Sequence, residues 1–178
     1  MNNLSGAHGR NAPSPWIARF CSEIEPGGAV LDLACGGGRH SVFLLEQGHP
    51  VTAADIDVSA LADIRGAVGL EIVTADLEND AWPFSGQQFA AVVVANYLHR
   101  PLFPYIAAAL APGGVLLYET FAAGNERYGH PRNPDYLLKR GELISGVLAG
   151  LTILAYEDLT VEAFRPAAVQ RVCARKPV

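Results

Sequence analysis

Little in this chain of 178 residues could hold a fold together covalently. Its three cysteines, Cys21, Cys35 and Cys173, are odd in number and scattered. None stands in a C-x-x-C pair or at a Cys/His ligand spacing. That pattern argues against a disulfide framework and a zinc site, and points to a reduced, cytoplasmic compartment with no metal. Long apolar runs are missing too. Phe89 to Ala95, among the longest, falls far short of the ~20 residues a membrane span needs. The opening MNNLSGAHGRNAPSPW has no apolar stretch of signal-peptide type. No membrane partner is expected. Clustered positive charge is likewise scarce: 13 Lys and Arg stand against 18 Asp and Glu, for a net charge of −5. With no basic run before the tail, nucleic acid is not a favoured partner.

What is present is apolar residue in quantity, 50% of the chain, enough for one domain with a sizeable core. Residues 1–13 are polar and glycine-containing and are expected to form a flexible leading segment. Residues 14–178 are expected to form a single domain. That domain is organised around residues 29–48, AVLDLACGGGRHSVFLLEQG. An apolar run carrying Asp32 leads into Gly36, Gly37 and Gly38, and then into Val42, Leu44 and Leu45 at helical spacing. The pattern reads as strand, glycine turn, helix. Such a turn lets backbone N–H groups approach a ligand closely, because no Cβ intervenes.

Asp32 narrows the ligand. A carboxylate beside this turn would repel a pyrophosphate, and the run from Gly36 ends at Ser41 where the dinucleotide pattern wants Gly or Ala. No Lys-Ser or Lys-Thr follows the glycines, which rules out a Walker loop. A cofactor with a sulfonium and an ammonium would instead be helped by an acid. LDLACGGGRHS resembles the first motif of the class I S-adenosylmethionine-dependent methyltransferases, and A-P-G-G-V-L-L at 111–117 is similar to their turn-and-strand signature. The resemblance covers residues 29–120; beyond that it is architectural. In size, the small single-domain bacterial enzymes of metabolite or tellurite detoxification look nearest.

The resemblance implies an α/β, doubly wound, Rossmann-like sheet of seven strands in the order 3-2-1-4-5-7-6, with strand seven antiparallel. It implies S-adenosyl-L-methionine as cofactor. Residues Asp32, Ala34, Gly36 and Gly38 would form its glycine bend. Asp55, closing the second strand about 20 residues past the glycines, is placed to accept from the ribose hydroxyls; its bland alternative is a helix cap. Asp76 would accept from the adenine amino group, or else serve as a turn residue. Leu77 and Ile56 would cover the two faces of the ring, and Asn96 would complete the cofactor set.

The remaining elements follow from spacing. Ser14-Pro15 reads as an N-cap and first helical position, opening an amphipathic helix to Ile24. Trp16 and Phe20 read as core, with a lid over the cofactor as the sharper alternative. A helix is expected behind Asp57 and Ser59, on Leu61, Ile64 and Val68. Another is expected over residues 137–148, before two final strands. Phe89 to Ala95 reads as a strand buried on both faces. Residues 122–135, AAGNERYGHPRNPD, are too irregular and too long for a simple connector and read as a substrate loop.

Methyl transfer needs placement and exclusion of water more than it needs a base. Tyr97, His99, Glu119 and His130 are the candidate proton handlers. Tyr97, His130 and Arg132 are the candidate contacts to a small-molecule methyl acceptor. No residue set names that acceptor. Two other readings stay open: a cofactor-sensing or accessory protein on this fold without turnover, and a dinucleotide oxidoreductase.

Overall fold

The apolar runs separate into seven strands. In the computed structural model, which describes residues 12–145, 148, 150–162 and 166–178, these are β1 Val30–Leu33, β2 Val51–Asp55, β3 Leu70–Thr74, β4 Phe89–Ala95, β5 Leu110–Phe121, β6 Thr152–Val161 and β7 Ala167–Arg175. They form one sheet in the order β3-β2-β1-β4-β5-β7-β6, as expected. The first five run parallel. β7 runs antiparallel to both β5 and β6.

Period-two alternation divides the core between the two faces of the sheet. Leu31, Leu33, Val92, Val94, Leu116 and Tyr118 fall on one face with Phe103 and Ile106. Val30, Ala53, Val93, Val115, Leu117 and Cys173 fall on the other with Trp16, Ile17 and Leu44. Burying each large side chain contributes about 1.5–3 kcal/mol before conformational entropy is subtracted. All three cysteines are buried and free. Among the described residues, no helix is long and apolar enough to cross a membrane.

Among the described residues, three α-helices accompany the sheet: α1 Pro15–Phe20, α2 Arg39–Glu46 and α3 Phe103–Ala109. Ser14 caps α1, its hydroxyl accepting from Trp16 N–H at 3.1 Å. α1 is shorter than expected and tightens into a 3₁₀ turn at Cys21–Glu23. Residues 1–11 of the expected leading segment lie outside the described residues.

Two expected helices are corrected. Behind Asp57 there is only a 3₁₀ turn, Ser59–Leu61, followed by further i→i+3 turns at Ile64 and Ala67. Leu61 and Ile64 are buried, but Val68 is 72% exposed, so no apolar stripe forms. Gly66 and Gly69 both take positive φ, which a helix cannot continue through. Residues 137–145 form no helix either, and 146–147 lie outside the described residues. Leu138 pairs instead with Ala122 in an isolated bridge. The fully buried Gln170 side chain donates to Lys139 O at 2.6 Å and accepts from Leu143 N–H at 3.3 Å. A β7 side chain thus occupies backbone groups that a helix would have paired internally.

The expected turn at 111–114 is absorbed into β5, with a register shift opposite Phe89–Ala91. Gly114 is obligatory there, because a Cβ would lie 2.8 Å from Ala111 O and 3.0 Å from Phe89 O.

Candidate functional site

Strand order reverses between β1 and β4, and the crevice beyond their carboxyl ends is where open parallel sheets bind ligands. Among the described residues, the two non-glycine residues with positive φ are Ala34 (55°) and Asn96 (57°). Each directly follows one of these two strands. Strained backbone of this kind gathers at sites that need a fixed loop shape.

One hollow of about 370 Å³ opens here, lined by Ala34, Asp55, Ile56, Ala75, Asp76, Leu77, Glu78, Asn79 and Tyr97. It brings together five of the residues assigned to the cofactor: Ala34, Asp55, Ile56, Asp76 and Leu77. Asp55 Oδ2 accepts the Gly36 N–H at 2.8 Å and Oδ1 accepts the Asp57 N–H at 3.1 Å. Each carboxylate oxygen has a second lone pair, so acceptor capacity remains toward the hollow. Gly36 sits at φ 52°, and a Cβ there would meet nothing within 4 Å. The bend therefore borders open space that a side chain would fill. Ile56 is 64% exposed, an uncommon posture for a large apolar side chain at a site wall, while Leu77 is buried.

Asp76 takes its turn role while lining the same hollow. Its carboxylate accepts from Glu78 N–H, Asn79 N–H and Asn79 Nδ2 at 2.9–3.1 Å. These bonds, the Asn79 side chain first, hold its pKa below the usual carboxylate value.

Asp32, Gly36 and Gly38 of the expected bend are not among the residues lining this hollow. Asp32 is 1% exposed and accepts from Ser41 Oγ at 2.6 Å. Burial pushes its pKa up to about 6, against the opposing pull of the Ser41 bonds. The Asp55 charge also acts on it. Gly38, at φ 72°, caps α2.

A second hollow of about 220 Å³ adjoins the first, lined by Glu78, Asn96, Tyr97, Leu98, Thr120, Phe121, Pro131 and Tyr136. Glu78 and Tyr97 belong to both. Asn96 falls in this second hollow and not in the first. The Tyr97 hydroxyl is buried with no hydrogen-bond partner. Burial, and then the charges of Glu78 and Asp76, push its pKa above the ordinary phenol value. It therefore stays protonated and cannot serve as a phenolate base at neutral pH.

The other candidate proton handlers are elsewhere. Glu119 is held in a network: Ser14 Oγ donates to Oε1 at 2.7 Å, and Arg171 Nη1 lies 3.2 Å from Oε2. Arg171 also pairs with Glu157 and lies over the Trp16 ring. Trp16 is buried as core, donating to Val172 O. His99 lines neither hollow. His130 is exposed and lines neither, and Arg132 is spent on Gly129 O.

Two residues that sequence reasoning passed over hold separate segments of the chain together. Arg100 binds Glu142 through Nε (2.6 Å) and Nη2 (3.0 Å) and the carbonyls of Asp135 and Leu137. It pins the chain that follows the 122–135 loop. His40 accepts the Ser14 N–H at 3.1 Å and is buried, which lowers its pKa to about 4. It ties the start of α1 to α2. Neither carries a motif; each is defined by a long-range contact.

Residues 30–114 match the family model described as "Methyltransferase domain". The putative methyltransferase YqeM of Bacillus subtilis is 29% identical over 119 residues, 61% of this chain and 48% of that protein. The chain spans about half the length of the curated relatives it matches. Among solved structures, TehB from Haemophilus influenzae superposes with a TM-score of 0.78 at 18% identity, over 97% of this chain and 65% of that one. The 1,6-didemethyltoxoflavin-N1-methyltransferase of Burkholderia thailandensis, solved with S-adenosylhomocysteine, gives 0.69 at 21% identity, over 93% and 78%. At such identities the structures attest the fold alone. Sheet order and antiparallel β7 give this chain the α/β fold of these methyltransferase structures, and residues 30–114 are similar to a methyltransferase domain.

Proposed function

We propose that this protein transfers a methyl group from S-adenosyl-L-methionine to a small molecule, in the cytoplasm. The observation that carries the reading is the first hollow, where Asp55 and Ile56 from the end of β2 and Asp76 and Leu77 from beyond β3 share one space with Ala34 from the end of β1. When bound, the cofactor supplies a methyl carbon activated by a sulfonium. Asp55 would accept from the ribose hydroxyls with its remaining lone pairs. Asp76 would take the adenine amino group, and Ile56 and Leu77 would enclose the ring. The open bend at Gly36 would admit the methionine part, and Asp32 would favour its positive charge from below.

The acceptor would enter the adjoining hollow. Its volume, about 220 Å³, lies under the ~300–1,000 Å³ range of drug-sized sites. That size suits a small acceptor. Asn96 and Tyr97 line it and would place the acceptor and exclude water. His99, Glu119 and His130 are not needed as a base in this reading, since orientation alone can supply much of the rate.

Calorimetry with S-adenosylhomocysteine tests the reading. The protein should bind it, and Asp55→Ala should weaken binding by about 1–3 kcal/mol, the cost of unmet polar partners. Unchanged affinity would remove Asp55 from the site. Binding of NADH in place of S-adenosylhomocysteine would overturn the assignment. Tight binding without turnover on any metabolite pool would favour a sensor or accessory role.

A further inference from the structure

The second hollow has a distinct chemical character. Glu78 is its one charged wall residue; the rest of the lining is Tyr97, Phe121, Tyr136, Pro131 and Leu98 with the polar Asn96 and Thr120. No described lysine or arginine lines it. Of the nearby cations, Arg100 is paired with Glu142 and two carbonyls, and Arg132, exposed and donating through Nε to Gly129 O, does not line the hollow. An anionic acceptor would therefore meet a carboxylate with no countercharge. A cationic one would meet that carboxylate and several ring faces, the two features that attract an ammonium. Tyr97 lines this wall beside Glu78, while its hydroxyl is itself buried.

Building on the methyltransferase reading, we propose that the acceptor is a small primary or secondary amine on an apolar or aromatic body, its nitrogen held at the Glu78 carboxylate and its body against the rings of Tyr97, Phe121 and Tyr136. The amine docks as its ammonium and first gives up a proton to water by way of the Glu78 carboxylate. The freed nitrogen lone pair then forms a bond to the donated methyl carbon. The methyl–sulfur bond breaks, and its electron pair stays on sulfur as a neutral thioether. Nitrogen is left with a positive charge, which it loses with one further proton to water.

The test is calorimetric titration of the full chain, with and without saturating S-adenosylhomocysteine, using three probes of one shape. These are 2-phenylethylamine, 2-phenylethanol and 3-phenylpropionate at pH 7.5. The amine should bind the loaded protein about tenfold more tightly than the alcohol, and more tightly still than the carboxylate. Glu78→Gln should erase the preference for the amine over the alcohol. Equal binding of amine and alcohol, preference for the carboxylate, or no amine binding to the loaded protein would each overturn the proposal. Absence of S-adenosylhomocysteine binding would instead fail the methyltransferase reading itself, so the two failures are separable.

Discussion

The two sides of the sheet's central crevice are built by different means. On the β1–β3 side, each site residue stands at the end of its own strand and is held by neighbours close in sequence. Asp76 is fixed by Glu78 and Asn79, and Asp55 by Asp57 together with the glycine bend. On the β5–β7 side, distant side chains do the holding. Arg100 reaches Glu142, Gln170 reaches Lys139 and Leu143, and Arg171 reaches both Glu119 and Glu157. A cofactor common to a family can be served by local, repeatable geometry. An acceptor particular to one enzyme is served by a loop that long-range contacts must shape.

That contrast can be broken experimentally. Arg100→Ala should have the largest effect, since it removes a charged pair and two carbonyl bonds at a partly buried position. A stability loss of about 2–3 kcal/mol is expected. Amide exchange should accelerate across residues 134–145 while β1–β3 keep their protection. Uniform loosening of the whole sheet would contradict the division.

Asp32→Asn probes the cofactor side. The folded pKa of Asp32, about 6, lies above its ordinary 3.8, so the native state holds its proton longer than the unfolded chain. Stability from this group is thus full below about pH 4 and is lost as pH rises through 6. Between pH 4 and 7 the asparagine variant should gain on the parent by about 2–3 kcal/mol. Thermal melts across that range, showing a constant difference between the two proteins, would deny the shift.

Tyr97→Phe should have the smallest effect. Removing an unpartnered buried hydroxyl should leave the unliganded protein as stable or more stable by about 1 kcal/mol. Denaturant midpoints read this directly. A clear loss would mean the hydroxyl has a partner after all.

The first motif was legible because its chemistry is local. A strand, a bend and a helix N-terminus leave a signature in LDLACGGGRHS, and the strand ends at Asp55 and Asp76 follow from hydrophobic runs that stop. The segments behind Asp57 and after Leu137 were misread as helices for the converse reason. Apolar residues recur there at helical spacing, but Gly66 and Gly69 interrupt one segment, and Gln170, a residue of another strand, claims the backbone of the other. Asp32 was legible as an acid beside the bend. Its depth was not, because burial depends on Ser41 folding over it from α2.

The sequence by itself determined the runs that become the core strands and the residues that close them, since apolar runs and the turns that stop them are properties of short stretches; the order of the strands was what the family resemblance implied. Only the tertiary structure decided that Tyr97 and Glu78 belong to two adjoining hollows, that Glu119 is committed to Ser14 and Arg171, and that Arg100 fixes the chain behind the loop. Those outcomes rest on contacts between residues tens of positions apart, and no local pattern encodes which distant partner a charged side chain will meet.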